Sequence, residues 1–163
     1  MSVRVNGDQA LVQGINRALL DLENERPGTV VDREFVEQHT VGFDEFAKHI
    51  ASVDWAEIEE RSGISEREIR EAAKTILRKD RKVITCWAMG LTQHRNAVAT
   101  IREVVNTHLL LGAIGRPGAG LCPVRGHSNV QGDRTMGIFE KMPAYYHDAI
   151  DREFGFTSPR EVC

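Results

Sequence analysis

The run Val83-Ile-Thr-Cys-Trp87 constrains the fold more than any other part of the sequence. β-Branched and aromatic side chains suit a pleated surface, and an apolar run this short, flanked by charge on one side and glycine on the other, predicts a buried strand. Helical patterns precede and follow it. The expected class is therefore α/β: a partial, open, mostly parallel sheet with packed helices. Gly90 lies just past the strand. Ligands of open α/β sheets bind beyond the carboxyl ends of the strands, which makes Met89, Gly90, Thr92, Gln93 and His94 candidate ligand contacts. The sequence contains no G-x-G-x-x-G, so a nicotinamide-type site has no fingerprint behind it.

Upstream, Met1 to Asn6 has the pattern of a strand end. Gly7-Asp8 opens a helix carrying Leu11, Ile15, Ala18, Leu19 and Leu22 at helical spacing. Asp8 is suited to cap the first turn. A helix start preceded by glycine also suits a phosphate or base edge, so Gly7 and Asp8 are candidate cofactor contacts. Pro27-Gly28 signals a turn. Short helices are predicted over residues 32–39, with Phe35 and Val36 inward, and over 44–51. Asp54-Trp-Ala-Glu57 and Ser65-Glu-Arg-Glu68 are capping boxes, with Val53/Ile58 and Ile64/Ile69 as hydrophobic staples. Glu66, Arg67, Arg70, Glu71 and Lys74 read as a solvated face with i,i+4 pairing. A helix over 96–111 is predicted to line one side with Val98, Ile101, Val105 and Leu109, with Ala97 and Val104 beside them. His108 beside them reads as a satisfied core histidine, and Gly112 fits the helix C-terminus.

Residues 113–135 then read as a long loop, a length that marks function or disorder. Seven of the 14 glycines fall between Gly112 and Gly137. Glycine lets backbone N–H groups approach a ligand closely. Arg116, Arg125 and Arg134, with Asn129 and Gln131, add side-chain donors. Such a surface suits a large, polar, anionic ligand.

Three motifs, in order, are similar to those of the molybdopterin oxidoreductases, the group that includes formate dehydrogenases. They are Ala88-Met-Gly-Leu-Thr-Gln-His94, Gly115-Arg-Pro-Gly-Ala-Gly120 and Pro123-Val-Arg-Gly-His-Ser-Asn-Val-Gln-Gly132. The resemblance extends upstream through Asn6-Gly-Asp-Gln-Ala-Leu11 and Thr40-Val-Gly-Phe-Asp-Glu45 and fades after Met142. It is nearest to the formate dehydrogenase-like oxidoreductase alpha subunit branch, whose members are much longer, so the chain resembles an internal piece of one.

The resemblance implies a Rossmann-like cofactor-binding domain fragment that takes part in holding bis-molybdopterin guanine dinucleotide with molybdenum or tungsten. Gly7, Asp8, Met89, Gly90, Thr92, Gln93, Gly126, Asn129, Gln131 and Gly132 are the implied cofactor contacts. Arg125 is implied as a catalytic residue that orients a small substrate such as formate. His127, the second implied catalytic position, stands where the formate dehydrogenases of this pattern carry glutamine. The family's metal ligand and 4Fe-4S cluster have no match here and are expected in the remainder of a parent enzyme; Cys122 is not assigned to metal. The chain alone is expected to show no turnover. A free-standing nucleotide- or pterin-binding module and a non-catalytic, self-associating remnant are the alternatives.

The expected organisation is a cofactor-binding α/β domain over 1–142 and an irregular extension over 143–163. A net charge of −3 gives no basis for general nucleic-acid binding. No apolar run is long enough to span a membrane, and the first residues lack a signal-peptide core, so a cytoplasmic location is expected. Cys86, Cys122 and Cys163 are far apart, odd in number and without C-x-x-C spacing, which disfavours a disulfide scaffold, a structural zinc site and a self-contained iron–sulfur site.

Overall fold

The computed structural model describes residues 2–77, 82–124, 130–136 and 142–160, and of Gln131 only the backbone. The chain divides into two compact units, Met1–Val124 and Arg125–Cys163.

The first unit is built around helix α1, Asp8–Glu25. Helices α2 (Arg33–His39), α3 (Phe43–Ser52), α4 (Trp55–Ser62) and α5 (Glu66–Ile76) follow. Strand β1 (Ile84–Trp87), a single turn α6 (Met89–Thr92), helix α7 (Ala97–Leu110) and strand β2 (Gly120–Pro123) complete it. α1 packs against α4, α5 and α7. Three apolar clusters result. Ala18, Leu19, Val30, Ala73, Leu111 and Ala113 form the first. Leu20, Val31, Val36, Ile50 and Leu110 form the second. Ile58, Ile64 and Ile69 form the third.

Side-chain caps set the starts of α2, α4 and α5. The Asp32 carboxylate accepts from the Phe35 N–H at 3.0 Å. Asp54 accepts from the Ala56 N–H at 3.3 Å. Ser65 and Glu68 form the reciprocal box that the sequence predicts. Both staples close, with Val53 packed on the cluster of Ile58, Ile64 and Ile69. Such caps satisfy N–H groups that have no partner within the helix. Asp8 does not cap. It is the first residue of α1, and Gly7 takes the cap position without a side-chain bond. Residues 2–6 form no strand.

β1 and β2 are parallel, in the register Ile84–Gly120, Thr85–Leu121, Cys86–Cys122 and Trp87–Pro123. The open, parallel α/β class is thus present as a two-stranded sheet. β1 is not buried as expected: Ile84 is 57% exposed. The predicted long loop over 113–135 is also corrected. It contains β2 and a short helix, α8, Val130–Thr135. β2 escaped the sequence reading because its glycine and proline ends carry no strand preference; pairing with β1 supplies the order.

The buried face of α7 is rotated from the predicted stripe towards Val104 and His108, which the sequence places beside it. Its buried residues are Thr100, Glu103, Val104, Thr107, His108 and Leu110. Val98, Ile101 and Val105 instead border a shallow apolar depression, and Val98 is 68% exposed. The cause lies on α1. Asn16 donates to the Glu103 carboxylate at 3.0 Å and accepts from the Thr107 hydroxyl at 2.7 Å. Gln13 donates to Glu103 at 3.2 Å. A polar seam of α1 thereby selects the polar side of α7, because buried polar groups need partners.

In the second unit, α9 spans Ala144–Phe154 and ends at Gly155 in the left-handed conformation. This corrects the expected irregularity of 143–163. Buried His147 meets the Ser158 hydroxyl at 2.8 Å through Nδ1, and Asp151 accepts the Ser158 N–H at 2.7 Å. Contacts with the following segment fix a helix that has little apolar periodicity of its own.

Candidate functional site

Two of the three motif segments leave the same edge of the parallel pair. Ala88 follows the end of β1 and Val124 follows the end of β2. The Val124 N–H donates to the Trp87 carbonyl at 2.7 Å, which holds these exits side by side. Parallel strands require this outcome, since their carboxyl ends coincide. The third segment, Gly115 to Gly120, enters β2 from the opposite end.

At the carboxyl edge, α6 presents Met89, Gly90, Thr92 and Gln93, all exposed. Nothing lies within 4 Å of the free side of Gly90. Gln93 donates to the Met89 sulfur at 3.4 Å, and the Thr92 hydroxyl reaches back to the Ala88 carbonyl at 3.5 Å. These are weak local contacts that a stronger ligand contact can displace. The donor set is neutral, mixes donors and acceptors, and sits beside an open glycine. That chemistry fits the polar edge of a fused heterocycle.

Gly7 and Asp8 lie on the other partner of the α1–α7 pair. Asn96, just ahead of α7, donates to Gln9 in the first turn of α1 at 2.9 Å. The two helix starts are therefore neighbours. Gly7 has a packing role: a Cβ there would meet the Arg61 carbonyl at 2.6 Å and the Arg4 carbonyl at 3.0 Å. Its N–H donates to the Arg4 carbonyl at 2.8 Å.

Arg125, Gly126, His127 and Asn129 lie outside the described residues, as does the side chain of Gln131. Gly132 lies within α8, where its carbonyl accepts the Met136 N–H at 2.9 Å. Arg116, expected among the anion-binding donors, is engaged within the protein by an ion pair to Asp32.

His108 is the core histidine that the sequence predicts. It is fully buried. Nε2 lies 2.7 Å from the Thr85 hydroxyl and Nδ1 3.3 Å from the Ala113 carbonyl. The carbonyl can only accept, so Nδ1 carries the proton and Nε2 accepts from Thr85. Burial pushes its pKa down, against the opposing effect of the Ala113 bond. The ring joins β1 to the loop after α7 and sits behind the site edge.

Sequence reasoning missed two features. Cys86 and Cys122, 36 positions apart in sequence, are register partners on the sheet and both are exposed. No local spacing signals that juxtaposition. The other is Glu23, a buried carboxylate that accepts the N–H groups of Gly28, Val30 and Val31 at 2.9, 3.0 and 3.0 Å. Among the described residues, no group of three or more His, Cys, Asp or Glu side chains is placed to hold a metal ion. No described helix is long and apolar enough to cross a membrane.

The ends of β1 and β2 form a carboxyl edge of the kind beyond which open α/β sheets bind ligands. No protein-family model matches the chain. An uncharacterized oxidoreductase of Mycobacterium tuberculosis is 54% identical over 160 residues, covering 98% of this chain and 20% of that protein. Protein YdeP of Escherichia coli K12 is 43% identical over 163 residues, 97% of this chain and 21% of its own length. Formate dehydrogenase H of the same organism is 36% identical over 149 residues, 88% of this chain and 21% of that protein. The chain belongs with these oxidoreductases, as a molybdopterin oxidoreductase-like segment. It spans about a fifth of the length of the curated relatives it matches.

Proposed function

We propose that this segment forms part of the bis-molybdopterin guanine dinucleotide site of a formate dehydrogenase-like oxidoreductase. The observation that carries the reading is the 36% identity to formate dehydrogenase H across 149 residues. The meeting of two motif segments at one sheet edge supports it. Met89, Gly90, Thr92 and Gln93 would contact the cofactor from β1, with Gly126, Asn129, Gln131 and Gly132 from the segment after β2. Gly7 and Asp8 complete the set of contacts. Held there, the cofactor supplies two-electron transfer at molybdenum or tungsten, while the protein binds and orients.

Arg125 is the substrate-positioning residue in this reading. A guanidinium can hold a carboxylate such as formate in two-point contact and fix its direction of approach. His127, next but one along the chain, is the second catalytic position of this reading. In this reading a 4Fe-4S cluster belongs to the remainder of the parent enzyme, outside this chain.

The test uses the intact protein that carries this sequence. Metal and pterin analysis is expected to find molybdenum or tungsten with a guanine dinucleotide. Arg125→Lys keeps the charge but loses the fork, and is expected to lower kcat/KM for formate by roughly 100-fold with metal content unchanged. Absence of metal and pterin from the purified protein would overturn the reading. Full formate oxidation by the lysine variant would remove Arg125 from it.

A further inference from the structure

We propose that Cys86 and Cys122 form a reversible cross-strand disulfide that staples the carboxyl ends of β1 and β2. The two residues are partners in the parallel register. Adjacent strands lie about 4.8 Å apart, inside the Cα separation that a disulfide spans. Register partners in a parallel pair project to the same face, so the sulfurs face each other. Both thiols are exposed, open to a small oxidant and its reductant.

The alternative use of two thiols, a soft metal ion, needs further ligands. Among the described residues no third His, Cys, Asp or Glu joins the pair. Desolvation, then the hydrogen bond and charge of Cys122, push the Cys86 thiol up from its ordinary value. That disfavours Cys86 as the first nucleophile and leaves the first attack to the other thiol of the pair.

With a low-molecular-weight disulfide as oxidant, the Cys122 thiolate attacks one sulfur of that disulfide. Its S–S bond breaks, and one thiolate leaves with the bonding pair and takes a proton from solvent. Cys86 then loses its proton to solvent and attacks the Cys122 sulfur of the mixed disulfide. The second small thiolate leaves and is protonated in turn. Two protein thiols lose two electrons, and one small disulfide becomes two thiols.

The bond falls one residue before Trp87 and Pro123, the strand ends from which residues 88–94 and 124 onward depart. Oxidation would add a covalent link to the spacing that the sheet hydrogen bonds already set, and reduction would return it to those bonds alone. The inference stands on strand register and is independent of the cofactor reading.

The intact protein is incubated with oxidised glutathione, alkylated and digested with trypsin without reduction. The expected product joins peptides 83–95 and 103–125, at the sum of their masses less two hydrogens, with both thiols lost together. Reduced glutathione in excess should return both thiols. In Cys86→Ser the reaction should stop at a glutathione adduct on Cys122. Separate glutathione adducts on the two cysteines of the unaltered protein, free alkylation of both after oxidation, or a bond from either to Cys163 would each overturn the proposal. The unaltered protein supplies the decisive result, so a variant that fails to fold does not affect it.

Discussion

Glu23 offers the sharpest test of the packing around α1. It is 2% exposed at the end of that helix, and one carboxylate accepts three backbone N–H groups from residues 28 to 31. Oε2 takes two of them and Oε1 the third, with Arg33 3.4 Å from Oε1. Glu23→Gln keeps the shape but replaces one oxygen with a donor. Whichever way the amide turns, its NH₂ group faces at least one N–H, which leaves a buried donor without a partner and weakens the remaining bonds. The expected loss is about 2–4 kcal/mol. With a urea slope of about 2 kcal/mol/M, the midpoint should fall by roughly 1–2 M. Arg33 is half exposed, at 52%. Arg33→Ala should therefore cost less than about 1 kcal/mol. Burial raises the Glu23 pKa, but the three N–H groups and then Arg33 outweigh it, and the folded value lies below the ordinary 4.5. A depressed carboxylate contributes its full stability above its unfolded value. That contribution is lost as pH falls below 4.5 and through the folded value. The stability gap between the unaltered protein and the Glu23→Gln variant should thus be widest near neutrality and narrow in acid. An unchanged urea midpoint at neutral pH, or a gap that grows on acidification, would refute this account.

Gly7→Ala should lower stability by about 1–3 kcal/mol, because the added carbon meets the Arg61 carbonyl at 2.6 Å and backbone cannot swing aside; thermal unfolding beside Gly14→Ala, which meets only side chains, would check it. His108 is held neutral, with its pKa below the ordinary 6.5. The stability of the unaltered chain should therefore fall as pH drops below 6.5 towards the folded value, a slope that His108→Gln should lack in urea titrations from about pH 8 to about pH 5.

The starts of α2, α4 and α5 were legible in the sequence because their causes are local. Ser65 and Glu68 satisfy each other's N–H groups within one turn, and no distant residue is needed. α7 shows where that reasoning stops. Its apolar positions Val98, Ile101 and Val105 fit a core stripe by period alone. The face that is buried was decided by Asn16 and Gln13, more than 80 positions earlier, which require the carboxylate of Glu103 and the hydroxyl of Thr107. A polar seam outweighs the apolar stripe here because unpaired buried polar groups cost more than an exposed valine. β2 was illegible for a related reason. Gly120 and Pro123 have no strand preference, and only the register with β1 orders them. The candidate site was legible as motif segments through family resemblance. That Ala88 and Val124 leave the same sheet edge required knowing that β1 and β2 are parallel neighbours.

That same parallel pair explains why the site is read as one edge of something larger. Parallel sheets are ordinarily covered on both faces, and an isolated pair of strands has little stability of its own. Here Ile84 on β1 is 57% exposed and Val98 on α7 is 68% exposed. Against this, α1 lies within a closed set of contacts: Leu19 and Ala18 are fully buried, and α3, α4, α5 and α7 surround it. Order is therefore supplied from the helical side, and among the described residues Met89, Gly90, Thr92 and Gln93 lie exposed just past the end of β1. An edge built this way places Met89, Gly90, Thr92 and Gln93 at a fixed position without enclosing a ligand. In the proposed reading such an edge would support one side of a large ligand, and the chain accounts for only about a fifth of the length of the relatives it matches.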